Sequence, residues 1–261
     1  MEITHGNGFR FIHSGAGAGA YNMALDEALS IGVASGPPVL RFYRFSPSTL
    51  SIGRFQRTDG RFHLDRIRAD GLDFVRRPTG GQAVLHADEL TYSVIIGRDH
   101  ACPFRKRELY RVVSSILIDG LRRLGVEAAF SRSRVGNPVN PDCFGTTGEY
   151  EIVAADRRKL IGSAQCTTRI GALQHGSIPL VSSRSDLARY LVDVPMESSE
   201  STSLAEQMGR TAGLDEVIEA FRDAFAASWT LRTSEVAPDE VSTASDLERV
   251  KYSTDTWTFR Y

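Results

Sequence analysis

Lysine is almost missing from this chain of 261 residues: among its 31 basic side chains only Lys106, Lys159 and Lys251 are lysines, and the rest are arginines. A lysine inside a motif is therefore hard to dismiss as surface filler. Cysteine is nearly as scarce. Cys102, Cys143 and Cys166 are odd in number and match no zinc spacing, which argues against both a disulfide framework and a zinc module and suggests a reducing compartment. Excess charge is missing too. The 31 basic and 32 acidic residues leave a formal net charge of -1, so there is no overall basic field for a nucleic acid. No apolar run approaches the roughly 20 residues of a membrane-spanning helix, and the opening MEITHGNGFR lacks the apolar core of a signal peptide. The expectation is a cytoplasmic protein with neither nucleic acid nor membrane as a partner.

What is present is an alternation of helical and strand patterns. Ala20 to Ala34 reads as a helix, with Asn22 as its cap, Met23, Leu25, Leu29 and Val33 on one face, and Gly36-Pro37-Pro38 as its stop. Val39 to Phe45 and Thr49 to Gly53 read as strands around a Ser46-Pro47-Ser48 turn, His63 to Ala69 as a short helix and Asp73 to Arg76 as a strand. Arg105 to Leu124 is the clearest helix, with Leu109, Val112, Val113, Ile116, Leu117 and Leu121 on one face. Residues 132–148 form a loop rich in Asn, Pro and Gly that holds Cys143. Glu149 to Ala154 and Lys159 to Thr167 read as a hairpin around Ala155–Arg158, and Ala172 to Leu180 as a further strand. Helices follow at Ser185 to Leu191, Leu204 to Met208 and Leu214 to Ser228, and the tail from Ala237 carries one more. This is the pattern of an α+β, or mixed α/β, domain. With no repeat, low-complexity tract or linker to divide it, residues 1–261 are read as one domain.

The densest segment runs from Arg76 to Val94, RRPTGGQAVLHADELTYSV. Paired glycines let a backbone approach a ligand closely, since no Cβ intervenes. Arginines beside them can fork onto carboxylates, phosphates or carbonyl oxygens. A Gly-Gly turn between two strands is by default a hairpin; Arg76, Arg77 and His86 point beyond that, because a hairpin needs none of them. Glu89 to Ile96 reads as a buried strand able to hold the turn rigidly.

This segment resembles the signature of the biotin/lipoate A/B protein ligase family, which includes lipoate–protein ligases and octanoyltransferases. The resemblance extends over roughly residues 9 to 210. Phe9 to Leu29 (FRFIHSGAGAGAYNMALDEAL) is similar to the family's first strand and helix, and Arg41 to Gln56 (RFYRFSPSTLSIGRFQ) to its next two strands. Lys159-Leu160-Ile161-Gly162-Ser163-Ala164 matches the Lys-x-x-Gly-Ser-Ala pattern that carries the family's key lysine, and Gln174-His175-Gly176-Ser177-Ile178 the strand after it. The resemblance implies a central, mostly antiparallel sheet flanked by helices. The tail leaves room for about one helix and one strand, so the accessory domain of many ligases is expected to be absent.

The activity that the resemblance implies first is transfer of an octanoyl group from acyl carrier protein to a lysine of a lipoyl domain or of glycine cleavage H protein. Cys143 and Lys159 are the catalytic candidates. In isolation, Lys159 beside Arg157 and Arg158 would be a solvated charge; within the motif it is the ammonium that stabilises an acyl oxyanion. Cysteine is usually a buried small hydrophobe, yet Asn140-Pro141-Asp142-Cys143-Phe144-Gly145 reads as loop and resembles the acyl-carrying Ala-Cys-Phe site of LipM-type octanoyltransferases. A thiolate attacks thioesters well, and a nearby ammonium lowers a thiol's pKa. Cys102 and Cys166 read as structural. Arg76, Arg77, Thr79, Gly80, Gly81, His86, Gly162, Ser163, Ala164 and His175 are the substrate-binding candidates, and the amides around Gly80–Gly81 and Gly162–Ala164 the candidate oxyanion hole.

Gln82 stands where the family more often has a third glycine, and a larger residue there takes room a nucleotide would need. No cofactor and no metal is expected. ATP and Mg²⁺ enter only under the alternative of a lipoate–protein ligase, which would use Lys159 without Cys143. A second alternative is a non-catalytic protein that binds lipoyl domains. If residues 149–167 form a simple hairpin, Lys159 and Cys143 lie on the order of 15–20 Å apart at ~3.3 Å per residue, so the 132–148 loop would have to fold back across the sheet for the two to cooperate.

Overall fold

The computed structural model describes residues 8–98, 106–131, 135–136, 146–147, 151–181, 187–192 and 201–261. Its first elements are β1 (Phe9–Gly17), α1 (Gly19–Gly32) and β2 (Val39–Phe45), with β2 parallel to β1. Helix α1 starts earlier than its spacing suggests, and Asn22 is not its cap. The cap position is Ala18, and the first turn is served from elsewhere in the chain: the Gly19 N–H donates to the Asp73 carboxylate at 2.8 Å, which places a negative charge at the helix N-terminus. Asn22 is buried inside the helix, and its amide donates to the carbonyls of Gly17 and Arg44, both at 2.9 Å. It locks the corner between strand and helix rather than ending the helix.

Among the described residues, eight strands form one sheet in the order β13 (Leu231–Thr233), β1, β2, β6 (Glu89–Gly97), β12 (Gly171–Pro179), β11 (Lys159–Thr167), β10 (Ile152–Ala154) and β7 (Ala128–Phe130). The β13–β1 and β1–β2 pairs are parallel and the rest antiparallel, so the mostly antiparallel sheet expected from the resemblance is present. Strand β6 is buried at every position because helices cover both faces. On one face α3 (Lys106–Arg123) and α5 (Leu214–Ser228) bury Leu109, Val113, Leu117, Phe221 and Phe225 against Phe9, Phe42, Tyr92 and Val94. On the other, α1 and α6 (Pro238–Leu247) bury Met23, Leu25, Leu29 and Ala244 against Ile12, Tyr43 and Ile95.

A second, three-stranded sheet carries the glycine segment. Its order is β4 (Asp73–Arg76), β3 (Thr49–Ile52), β5 (Val84–His86), parallel between β3 and β4 and antiparallel between β3 and β5. The default hairpin across Gly80-Gly81 is therefore not what forms: β4 and β5 flank β3, and residues 77–83 cross over its end. The crossing is possible because Gly53 follows β3. A Cβ on Gly53 would sit 1.8 Å from the Gly81 oxygen, and Gly81 itself takes φ +94°, a region other residues rarely adopt.

The expected hairpin at 155–158 does form. Ile152 pairs with Ile161 and Val153 with Lys159, leaving Leu160 as a bulge, and Arg157 turns the chain at φ 68°. The remaining elements are α2 (Leu64–Ala69), a short ladder of β8 (Val135–Gly136) with β9 (Thr146–Thr147), α4 (Leu204–Met208), a π-helical turn at Glu248–Tyr252 and α7 (Asp255–Thr258). The expected helix over 185–191 begins outside the described residues; Leu187, Tyr190 and Leu191 bury themselves beside Leu50, Ile52, Phe62 and Ile67. Among the described residues no helix is long and apolar enough to cross a membrane.

The contact between α3 and α5 yields a test of the packing. A Cβ on Gly120 would lie 2.4 Å from the buried Phe221 ring. On an exposed helix, Gly→Ala gains ~1 kcal/mol of helix propensity. Gly120→Ala is expected instead to cost about 1–3 kcal/mol by overpacking, read as a lower urea midpoint.

Candidate active site

Strand register assembles the site on the α1 face of the large sheet. Ile12, Arg41, Ser93, His175 and Ala164 are successive cross-strand partners on β1, β2, β6, β12 and β11. Two residues along lies a second row, Tyr43, Thr91, Ser177 and Gly162. Alternation puts both rows on the same face. The rows end on β11 in Ala164 and Gly162, whose small side chains leave space that the neighbouring strands fill. Ser163, between them, points the other way and bonds the Tyr92 hydroxyl at 2.7 Å; burial pushes that phenol up to about 12, so it stays protonated. The Gly-Ser-Ala pattern is thus two vacancies on one face and an anchor on the other.

Two buried carboxylates collect the polar groups of this face. Asp26, on α1, accepts from Arg41 Nη1 (2.8 Å), Ser93 Oγ (2.7 Å), Tyr43 Oη (3.1 Å) and His175 Nδ1 (3.3 Å). Burial alone would raise its pKa; His175, Arg41 and Ser93 together outweigh that and hold it below the ordinary carboxylate value. For His175 burial dominates and holds the imidazole below its ordinary value, with Asp26 opposing. The other ring nitrogen of His175 meets Thr79 Oγ1 at 2.6 Å. Glu89 is the second collector: it accepts from Thr91 (2.5 Å), from Ser177 and from His86 Nδ1 (2.6 Å). His86 stacks on Phe45 and meets Ser51 Oγ with Nε2 at 2.8 Å. Ser51 Oγ accepts from Arg77 (3.1 Å), whose guanidinium also donates to the carbonyls of Gly80 (2.8 Å) and Gln82 (2.7 Å).

Between these networks lies a pocket that is partly open to solvent. Met23, Tyr43, Phe45 and Val84 give it apolar walls, and Arg77, His86, Gly162, Ser163, Ala164 and His175 also line it. Six of the substrate-binding candidates therefore converge on one cavity. Thr79, Gly80 and Gly81 are not among the lining residues; they lie in the turn held by Arg77 and His175. Arg76 is not among the residues lining the cavity, and it pairs with no acid among the described residues. Its guanidinium donates to the carbonyls of Gly53, Arg54, Gln56, Trp257 and Thr258, tying the loop after β3 to the C-terminal segment.

Lys159 begins β11, three residues before Gly162, and is fully buried. Its Nζ donates to Glu151 Oε1 at 2.8 Å, and its carbonyl accepts from Thr202 N at 2.8 Å. It is not among the residues lining the pocket. Cys143 and Cys102 lie outside the described residues; Cys166 is half-buried and packs against the apolar cluster under α1. Among the described residues no cluster of three or more His, Cys, Asp and Glu side chains could hold a metal ion.

Sequence reasoning missed Asp26, Arg41, Ser51, Glu89 and Glu151. Asp26 did leave a signal: it lies three residues from both Met23 and Leu29, on the helical stripe that Met23, Leu25 and Leu29 make apolar. A charge there must be paired when buried. Glu89 similarly opens a strand read as buried.

The model of the lipoyl protein ligase A/B catalytic domain matches residues 18–226. A protein from Geobacillus kaustophilus named octanoyltransferase LipM is 38% identical over 97% of this chain and 98% of its own length. A LipM octanoyltransferase from Symbiobacterium thermophilum is 40% identical, with 97% and 98% covered. A solved lipoate–protein ligase A bound with ATP superposes with a TM-score of 0.81 at 26% identity over 99% of each chain. A putative lipoate protein ligase from T. acidophilum with bound lipoic acid, at 24% identity, shares the fold with the same TM-score over 99% of this chain and 100% of its own.

The Asp26–His175 pair makes stability depend on pH. Below 6.5, the ordinary imidazole value, the unfolded chain takes up a proton that the folded His175 resists, so stability falls as pH drops. Asp26 adds a further loss below 3.8, its own ordinary value. Urea midpoints of the wild type are expected to fall more steeply between pH 7.5 and 5.5 than those of His175→Gln. Removing the carboxylate with Asp26→Ala, which leaves Arg41 buried and unpaired, is expected to cost about 3–5 kcal/mol at neutral pH.

Proposed function

The chain belongs to the lipoyl protein ligase A/B catalytic-domain family, and on that footing we infer that it is an acyltransferase of protein lipoylation, an octanoyltransferase. The observation that carries this reading is its near-full-length similarity to proteins of that activity. The pocket suits it. An alkyl chain entering past Gly162 and Ala164 meets the side chains of Met23, Tyr43, Phe45 and Val84, and each buried methylene contributes roughly 0.8 kcal/mol. The polar atoms around it are already engaged by Asp26 and Glu89, so an apolar guest leaves few of them unsatisfied.

The finer mechanism is our proposal. The Cys143 thiolate attacks the octanoyl thioester of acyl carrier protein, and the carrier's pantetheine thiol leaves with a proton. The amine of a lysine on a lipoyl domain or glycine cleavage H protein then attacks the Cys143 thioester. An amide forms and the cysteine is released. Lys159 stabilises the oxyanion in both steps as a buried cation, with Glu151 holding its Nζ. The scheme uses neither ATP nor a metal, and a reducing cytoplasm keeps the thiol available.

Two experiments test this. Incubated with octanoyl-acyl carrier protein and a lipoyl domain, the protein is expected to octanoylate the acceptor without ATP. Without acceptor it should retain one hydroxylamine-labile octanoyl group, absent in Cys143→Ala, and Lys159→Ala should form it about 10²–10³ times more slowly. Robust lipoylation by the chain alone from free lipoate and ATP, with Cys143→Ala fully active, would establish the ligase activity instead. Separately, Ala164→Leu fills the pocket from β11; the KM for the octanoyl donor should rise at least about tenfold, the equivalent of two methylenes of lost burial, while the denaturation midpoint stays near wild type.

A further inference from the structure

Resting on the octanoyl-transfer reading of this pocket, we propose that Asp26, His175 and Thr79 form a positioning relay that holds the glycine turn over the acyl site. None of the three is assigned to the chemistry itself. Asp26 and Thr79 are absent from the pocket lining, and of the three only His175 lines it.

His175 belongs to β12 of the large sheet, and Thr79 to the segment that crosses the end of β3 in the small one. The 2.6 Å contact between Thr79 Oγ1 and His175 Nε2 ties the turn to the large sheet. Its other holds come from its own side: Arg54 N donates to the Thr79 carbonyl at 2.8 Å, and Arg77 forks onto the carbonyls of Gly80 and Gln82. The pocket lies between the sheets, so the Thr79–His175 bond sets how the turn sits relative to Gly162 and Ala164 across the cavity.

The chemistry of Asp26 dictates which hydrogen goes where. Its Oδ2 receives the hydroxyls of Ser93 and Tyr43, and Oδ1 the guanidinium of Arg41. An ionised carboxylate only accepts, so the His175 Nδ1 facing Oδ2 must carry the hydrogen. In the neutral ring Nε2 is then a lone pair, and the Thr79 hydroxyl is its donor. Other groups around His175 work against protonating it: burial, Arg77 and His86 all favour the neutral ring, while Asp26 opposes them. Thr79 is therefore held by an acceptor whose direction the helix carboxylate determines. This also accounts for the acidic residue in the apolar stripe of NMALDEAL, which acyl transfer alone does not require.

Thr79→Val keeps the shape and removes the hydroxyl; Thr79→Ser keeps the hydroxyl. The relay predicts that Thr79→Val lowers kcat for octanoyl transfer about ten- to a hundredfold, the scale of a small misplacement remote from the chemistry. Thr79→Ser should restore it to within about threefold, set by the same geometric requirement. Histidine ¹⁵N NMR should find His175 protonated on Nδ1 at neutral pH. Without the Thr79 donor to its neutral form, the ring should take up a proton at higher pH in Thr79→Val. Asp26→Asn, which removes a negative charge, should move proton uptake to lower pH. A Thr79→Val protein with wild-type kcat, or a loss that Thr79→Ser fails to restore, would overturn the relay. A wild-type protein that transfers no octanoyl group sinks the activity reading instead; the NMR titration then judges the relay, and an unchanged His175 titration in Thr79→Val refutes it.

Discussion

A carboxylate with no water around it has to be met by donors fixed in place, and in this molecule Asp26 is that carboxylate. Leaving any of its charge unmatched would cost several kcal/mol. The requirement is met from three strands at once, by Arg41 on β2, Ser93 on β6 and His175 on β12. Helix α1 can sit on the sheet in one register only, because sliding or turning it would pull Asp26 away from all three. Asn22, one turn earlier, reinforces this by accepting from Arg41 while its amide closes the β1–α1 corner. A fully buried charge therefore also specifies the geometry of the fold, a role that generic apolar packing fills less sharply.

Glu89 does the same for the opposite wall. By collecting His86, Thr91 and Ser177, it turns the polar atoms of that wall inward. The cavity then presents carbon and ring surfaces to a guest even though many of its lining residues are polar. Through His86 and Ser51 the same network reaches Arg77, and Arg77 grips the glycine turn by its carbonyls. The turn is thus held from both carboxylates, one through each histidine. It keeps its position although Gly80 has open space where a Cβ would point.

Lys159 occupies a different kind of place. It is a fully buried cation at the start of β11, held at 2.8 Å by Glu151, and its backbone is engaged by Thr202. A cation fixed in this way loses little by reorganising when negative charge develops nearby, which is the property that transition-state stabilisation draws on. Fold likeness extends to an ATP-bound ligase as readily as family likeness does to octanoyltransferases. The architecture alone therefore does not choose between the two chemistries.

The linear sequence carried the local patterns and the motifs. The strands at Val39–Phe45 and Asp73–Arg76 and the helices at Leu204–Met208 and Leu214–Ser228 were legible to the residue, because apolar period and flanking turn residues act over a few positions. Lys159, Gly162, Ala164, His86 and His175 were recognisable as a set, and the scarcity of lysine made the first of them conspicuous. Pairing beyond the local hairpin at 155–158 was not legible. The Gly80-Gly81 segment reads as a hairpin, yet β4 and β5 lie on either side of β3, since a third strand with a glycine after it can take the middle and no local signal announces that. Arg76 and Arg77 are adjacent and chemically alike, but one fastens backbone carbonyls while the other lines the cavity. The place of Asp26 on an apolar stripe marks it as a charge in need of partners, and only the approach of three distant strands made it the hub of the site. Sequence by itself determined which segments form and which residues could bear chemistry, because those depend on neighbours within a turn or two. The tertiary structure alone decided which of those residues meet, because burial and strand register join positions as far apart as Asp26 and His175.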